Sequence, residues 1–232
     1  MDIKYEILLD NENLEVKYRD GTVDQYKLIP LPDEFLKWQS EARLNMFERI
    51  QKEGVNSIKS MPAHLPVMGT TGKEQGFINL ASKGLGLLPK KDKLEEFLNL
   101  FRKVKKSSES KDWKVTIKER MESALKFYKN VDNFNPYFLG GLEIFEGQTA
   151  ENLKQKPLAT LLYTGTAPKF LSYQLNGIID IVQGDNLYYQ FLLSARELFA
   201  FDAFHVKQVK YPFGYLFYTI NLREKTPFSR KL

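Results

Sequence analysis

His64 and His205 are the only imidazoles in the chain. Asp202 stands three residues before His205, a spacing that can orient a ring. Neither histidine has a second one at metal-ligand spacing, and a metal centre needs more ligands than this pair offers. No Gly-x-Ser-x-Gly elbow occurs, and no serine falls beside a histidine in a nucleophile motif. Cysteine is absent. That removes thiolate zinc sites, iron–sulfur clusters, disulfides and cysteine nucleophiles together. Anion chemistry remains. Gly69, Gly72, Gly76, Gly84 and Gly86 fall within 18 residues, dense enough to cradle a phosphate. The stretch has neither a Walker pattern nor G-x-G-x-x-G, and tight turns are the simpler account of its glycines. Further on, Thr149 and the free N–H groups of a short helix suit an anion.

The elements that would position these residues centre on 138–182, where three β-rich runs occur at 138–145, 158–163 and 170–182. Between the first two, Gly147 breaks the strand. Thr149 is placed to N-cap a helix, with Asn152 three residues on, and Pro157 stops it. The run 158–163 is apolar on one face and mostly apolar on the other. This predicts a strand buried on both sides, as in a small closed barrel. Upstream, 3–9, 14–18 and 23–28 read as a three-strand meander with an Asp20-Gly21 turn. A helix over 34–52, capped by Asp33 and ended by Gly54, carries Phe35, Trp38, Ala42, Met46, Phe47 and Ile50 on one stripe. Strands near 65–70 and 77–81 flank a glycine-bounded turn.

Residues 90–130 hold two amphipathic stripes. Leu94, Phe97, Leu98, Phe101 and Val104 form one; Ile117, Met121, Ala124, Leu125 and Tyr128 form the other. A polar linker separates them, which predicts an inserted helical hairpin. Residues 187–201 mix strand and helix signals, and 215–222 alternate as a final strand. The expected fold is α+β and mostly antiparallel β: a split β-barrel with an inserted helical hairpin and an N-terminal β-meander plus helix. The expected division is 1–54 for the meander and helix, packed on the main body, and 55–232 for the barrel with its insertion at 90–130.

The order strand, short helix, strand, strand resembles the FMN-binding split barrels related to pyridoxamine-phosphate oxidase. The pieces that carry the resemblance are Thr149, Asn152-Leu153, Lys156-Pro157, the run from Leu158 to Tyr163, and Asn176-Gly177-Ile178. Gln75-Gly76-Phe77-Ile78-Asn79 stands where that family opens its barrel with a hairpin. The resemblance implies an FMN-binding oxidoreductase-like protein of unknown substrate. It also implies a homodimer, with cofactor at the subunit interface. It assigns the FMN phosphate to the start of the short helix, at Gln148 and Thr149. Lys83 is the first candidate for the cation and Lys169 the second. Glu146 departs from the family, which carries an arginine or lysine close by. No side chain is assigned as a catalytic acid or base.

Two other readings stand beside this one. The same barrel could hold a haem, another apolar ligand or a partner protein without being an enzyme. The basic cluster Lys90, Lys91, Lys93, Arg102, Lys103, Lys105 and Lys106 could contact nucleic acid. It lacks interleaved aromatics, so a solvated helix face is the favoured account and nucleic acid is not expected as a partner. The net charge of +5 fits either a phosphate ligand or mere solubility. No apolar run approaches the length of a transmembrane helix, so no membrane partner is expected. The first residues lack the pattern of a signal peptide, and with the missing cysteines this leads to an expected cytoplasmic location.

Overall fold

The structure is a computed structural model that describes residues 2–53, 63–72, 76–165, 170–198 and 210–227. Strands β1 (Tyr5–Asp10), β2 (Asn13–Tyr18) and β3 (Val23–Lys27) form the expected antiparallel meander. Its turns use Asn11 and Gly21 at positive φ, where these two residue types are least strained. Helix α1 (Asp33–Glu53) follows and buries Phe35, Trp38, Phe47 and Ile50.

Seven strands build the main sheet. They are β4 (Val67–Thr70), β5 (Asn79–Ser82), β6 (Gly86–Pro89), β7 (Phe134–Leu142), β8 (Leu158–Gly165), β9 (Leu171–Val182) and β10 (Gly214–Glu224). All neighbours are antiparallel, in the order β5-β4-β8-β9-β10-β7-β6. The two ends of that order, β5 and β6, are consecutive in the chain and separated only by Lys83-Gly84-Leu85. One bent strand therefore starts the sheet and finishes it, and the sheet closes into a barrel. Closure presses backbone on backbone: a Cβ at Gly141 of β7 would lie 1.8 Å from the Gly84 carbonyl oxygen.

The barrel interior is filled by Met68, Leu161, Tyr163, Tyr173, Leu175, Ile179 and Phe217, all at most 2% exposed. Helix α1 stoppers one end. The Phe35 ring meets Tyr163 and Tyr173 edge-on at 5.2 and 5.4 Å. A side chain at Gly165 would collide with Trp38. The hairpin of α2 (Leu94–Ser107) and α3 (Trp113–Tyr128) is inserted between β6 and β7 as expected. All five residues of the α2 stripe are buried. Helix α4 (Gln148–Gln155) joins β7 to β8. The meander is tied to the barrel by backbone hydrogen bonds from Ile29 to Thr219, from Leu31 to Pro136 and from Lys4 to Lys154.

Several expectations needed correction. β6 falls in the glycine-rich stretch that the sequence shows as turns. β7 begins at Phe134 and ends at Leu142, because Glu143 folds its carboxylate back onto the N–H groups of Ile144 and Phe145 and leaves the sheet. The mixed segment is a helix, α5 (Leu187–Leu198), capped by Asn186, which accepts from the N–H groups of Tyr188 and Tyr189. Residues 199–201 of that segment lie outside the described residues.

Candidate functional site

The strand pairing defines which side chains share the outer surface of the barrel. Val67 stands opposite Ser82 and Leu162; Gly69 stands opposite Leu80 and Thr160. Directly opposed residues point to one side, so these six share a face. On it Val67, Leu162, Ile78 and Leu80 are exposed by 38, 40, 64 and 67%. The strip is continuous, since a Cβ on Gly69 would lie 3.4 Å from both the Ile78 and the Leu80 side chain. Beside it runs a polar row. Asn176 accepts from Thr160 at 2.9 Å and from Gln174 at 3.2 Å, and donates to Asn221 at 3.4 Å.

Helix α4 meets the opposite, inward side of the β4–β5 hairpin through a neutral network. Asn79 on β5 donates to Thr149 at 2.9 Å and to Thr70 at 3.2 Å. Asn152 also donates to Thr70, and accepts from Gln148 at 2.7 Å. Thr70, Thr149 and Asn152 are buried. The expected role of Thr149 as N-cap, at an exposed helix start, is therefore corrected. Gly147 is the cap residue, and Thr149 lies inside the helix with its hydroxyl turned onto the β4–β5 hairpin. The reason is steric and polar together: the hairpin end offers Asn79 as a buried donor that needs an acceptor.

An ionic cluster occupies the other end of β5. Lys83 holds both carboxylate oxygens of Glu143, at 2.6 and 2.7 Å, with Glu143 only 1% exposed. Glu143 also accepts the hydroxyl of buried Tyr215, whose ionisation is pushed well up by burial and by that carboxylate. Four residues of extended strand, about 13 Å of backbone, separate Asn79 from Lys83. The structure thus brings Gln148 and Thr149 together, with Thr70, Asn79 and Asn152 around them, and places Lys83 in a different cluster. Lys169, the second candidate cation, lies outside the described residues, as do His205 and Asp202. At α4 itself, Lys154 bridges Glu146 and Glu151 at 2.8 Å each, and those two carboxylates hold its ammonium above the usual lysine range.

FMN is the cofactor implied by the resemblance, and the side chains match it in one half only. The apolar strip and the adjoining polar row match a flat ring system with a hydrogen-bonding edge. The phosphate half does not match. Gln148, Thr149 and Asn152 are committed to one another and to the hairpin, and Lys83 is neutralised by Glu143.

Elsewhere, the basic cluster on and before α2 is partly paired: Lys93 with Asn133, Arg102 with Gln190, and Lys105 with Glu197 at 2.6 Å. His64 packs beside Gly84 and Gly86. Among the described residues no three His, Asp or Glu side chains group as a metal site. No described helix is long and apolar enough to cross a membrane. Glu143 and Asn79 had no functional reading from sequence. Asn79 sat in the quoted hairpin phrase, but Glu143 lies 60 residues from its lysine and carries no local signal.

No family model matches the chain, and no curated protein matches it. Solved structures do. The HupZ protein of Group A Streptococcus is similar at 10% identity with a TM-score of 0.41, over 79% of this chain and 93% of that one. A variant of HupZ with one histidine changed to alanine gives 10% and 0.40, over 69% and 89%. A Listeria innocua protein assigned provisionally as a pyridoxamine 5'-phosphate oxidase gives 7% and 0.39, over 81% and 98%.

Proposed function

We propose that this chain is a flavin-binding split-barrel protein of the oxidoreductase type, working as a homodimer, with the ligand on the outer face of β4, β5 and β8. The observation that carries the reading is the exposed strip of Val67, Ile78, Leu80 and Leu162 on a barrel whose interior is already full. A filled interior leaves the outside for a ligand. A continuous apolar strip on an outer face marks a surface that something covers. A flat aromatic ring and a second copy of the chain would cover it together. FMN is the flavin that the sequence resemblance suggests, and hydride transfer is what such a group supplies when bound. The chain's own contribution is to hold the ring against the strip, offer the Thr160–Asn176–Gln174 row to its polar edge, and exclude water on one side.

The test is the visible spectrum of freshly purified protein, followed by titration of the colourless form with FMN and by light scattering. The expected result is flavin absorbance or saturable binding, on a particle of twice the chain mass. A monomer that binds no flavin would sink the reading.

A further inference from the structure

Donors without acceptors stand on the outer face of the barrel, at the edge away from β5. Ser82, Val67, Leu162, Gln174 and Arg223 lie in register across β5, β4, β8, β9 and β10. The neighbouring row is Leu80, Gly69, Thr160, Asn176 and Asn221. Opposed residues of paired strands point to one side, so Arg223 shares the face of the apolar strip, as does the Asn176–Asn221 hydrogen bond. Both rows run from apolar on β4 to polar on β9, and neither contains a carboxylate. Arg223 carries their one charge. It is exposed, and among the described residues it makes no hydrogen bond or ion pair.

The amide row is polarised toward the same edge. Asn176 Oδ1 accepts from Thr160 and from Gln174, which leaves its amide nitrogen to donate to Asn221 Oδ1. Asn221 therefore keeps its own amide N–H groups without an acceptor among the described residues, two positions from Arg223 on the same strand and face. A guanidinium fork beside an amide donor suits a phosphate monoester. Leu162 and Arg223 are two strand spacings apart, about 10 Å of sheet, a span that a ring joined to its phosphate by a polyol chain covers. The α4 end offers the reverse. Its network lies on the inward side of the hairpin with its donors committed, and Glu146 and Glu151 stand at the helix start. We propose that Arg223 is the anion anchor of this face. It holds the phosphate of a flavin whose ring lies on Val67 and Leu162, with the charged end directed toward β10 and away from α4. This inference rests on the flavin reading above and adds the ligand's direction to it.

The experiment compares FMN with riboflavin by flavin-fluorescence titration of the full chain. Wild type is expected to prefer FMN by about tenfold at low salt, one charge–phosphate contact, and the preference should shrink as salt rises. Arg223→Gln is expected to bring the two affinities within about twofold. Asn221→Asp still accepts from Asn176 but sets a carboxylate beside Arg223, and the same loss of preference is expected. A wild-type preference below about threefold would overturn the proposal, as would an Arg223→Gln protein that keeps the wild-type ratio. If Arg223→Gln does not fold by circular dichroism, Asn221→Asp decides, and an unchanged ratio there overturns the proposal. If neither variant folds, a wild-type preference that salt leaves unaltered overturns it. Saturable binding of neither flavin fails the flavin reading itself and this inference with it. Binding of both with the wrong ratio fails only the inference.

Discussion

One sheet presents two unlike outer surfaces. Over β9, β10 and β7 the outward side chains Ile178, Leu216, Tyr218 and Phe138 are nearly fully buried, the least covered at 6% exposure. They are roofed by α5, whose Tyr188 meets the Phe138 ring at 5.0 Å, and by the N-terminal segment hydrogen-bonded to Thr219. Over β4, β5 and β8 the outward side chains Val67, Leu80 and Leu162 are exposed by 38, 67 and 40%, and no described element roofs them. Among the described residues, cover lies over one half of the barrel and not over the other. The cost of exposed apolar surface is the same on both, about 25 cal/mol per Å², so the bare half is where a ligand or second copy gains by docking.

Breaking the barrel is the largest perturbation, because both halves depend on its closure. Gly141→Ala would drive a methyl group into the Gly84 carbonyl, and neither backbone can rotate away. A loss of about 4 kcal/mol, or failure to fold, is expected in urea unfolding. A near-neutral result would mean the closure is looser than described. On the covered half, Leu216→Ala should cost about 3 kcal/mol, as a buried leucine does. The matching change on the bare half, Leu80→Ala, should alter stability by about 0.5 kcal/mol or less. Equal losses at the two positions would erase the distinction between the halves.

Asp180 sharpens the contrast through pH. It lies on the covered half, opposite Leu216, and burial pushes its carboxyl from 3.8 up to about 6. The folded state binds that proton more tightly than the unfolded state. Its contribution to stability is therefore greatest below about pH 4 and falls as pH rises through 6, by on the order of 1–3 kcal/mol. Asp180→Asn should flatten this slope and raise stability at pH 7. A wild-type slope that survives the substitution would assign it to other groups. A small effect on the fold itself should come from the double change Leu80→Asp and Leu162→Asp. These exposed positions should leave the melt within about 1 kcal/mol while light scattering moves from dimer to monomer.

What the sequence made legible follows the range of the interactions. The α2 stripe was readable because five apolar residues at helical spacing all face one partner surface. α4 was readable because Gly147 and Pro157 bracket it. β6 was not, since the four residues from Gly86 to Pro89 become a strand only by pairing with β7, far along the chain. The α3 stripe was readable at Met121 and Ala124, both fully buried, but it missed one residue. Phe127, absent from it, is the hub that touches the rings of Phe97, Phe134 and Phe191, at 5.0, 5.2 and 5.5 Å, and only the approach of α2 and α5 selects it. At the site, the short helix and the polarity of Gln148, Thr149 and Asn152 were legible. The inward turn of Thr149 and the capture of Lys83 by Glu143 were not, because both partners come from strands distant in sequence.

The most direct test of a flavin site on the bare half is a riboflavin titration, followed by fluorescence, of wild type against the Leu80→Asp, Leu162→Asp protein. Saturable binding by the wild type, weakened at least about tenfold in the folded double variant, is the predicted result. Equal binding by the two proteins, or none by the wild type, would contradict it.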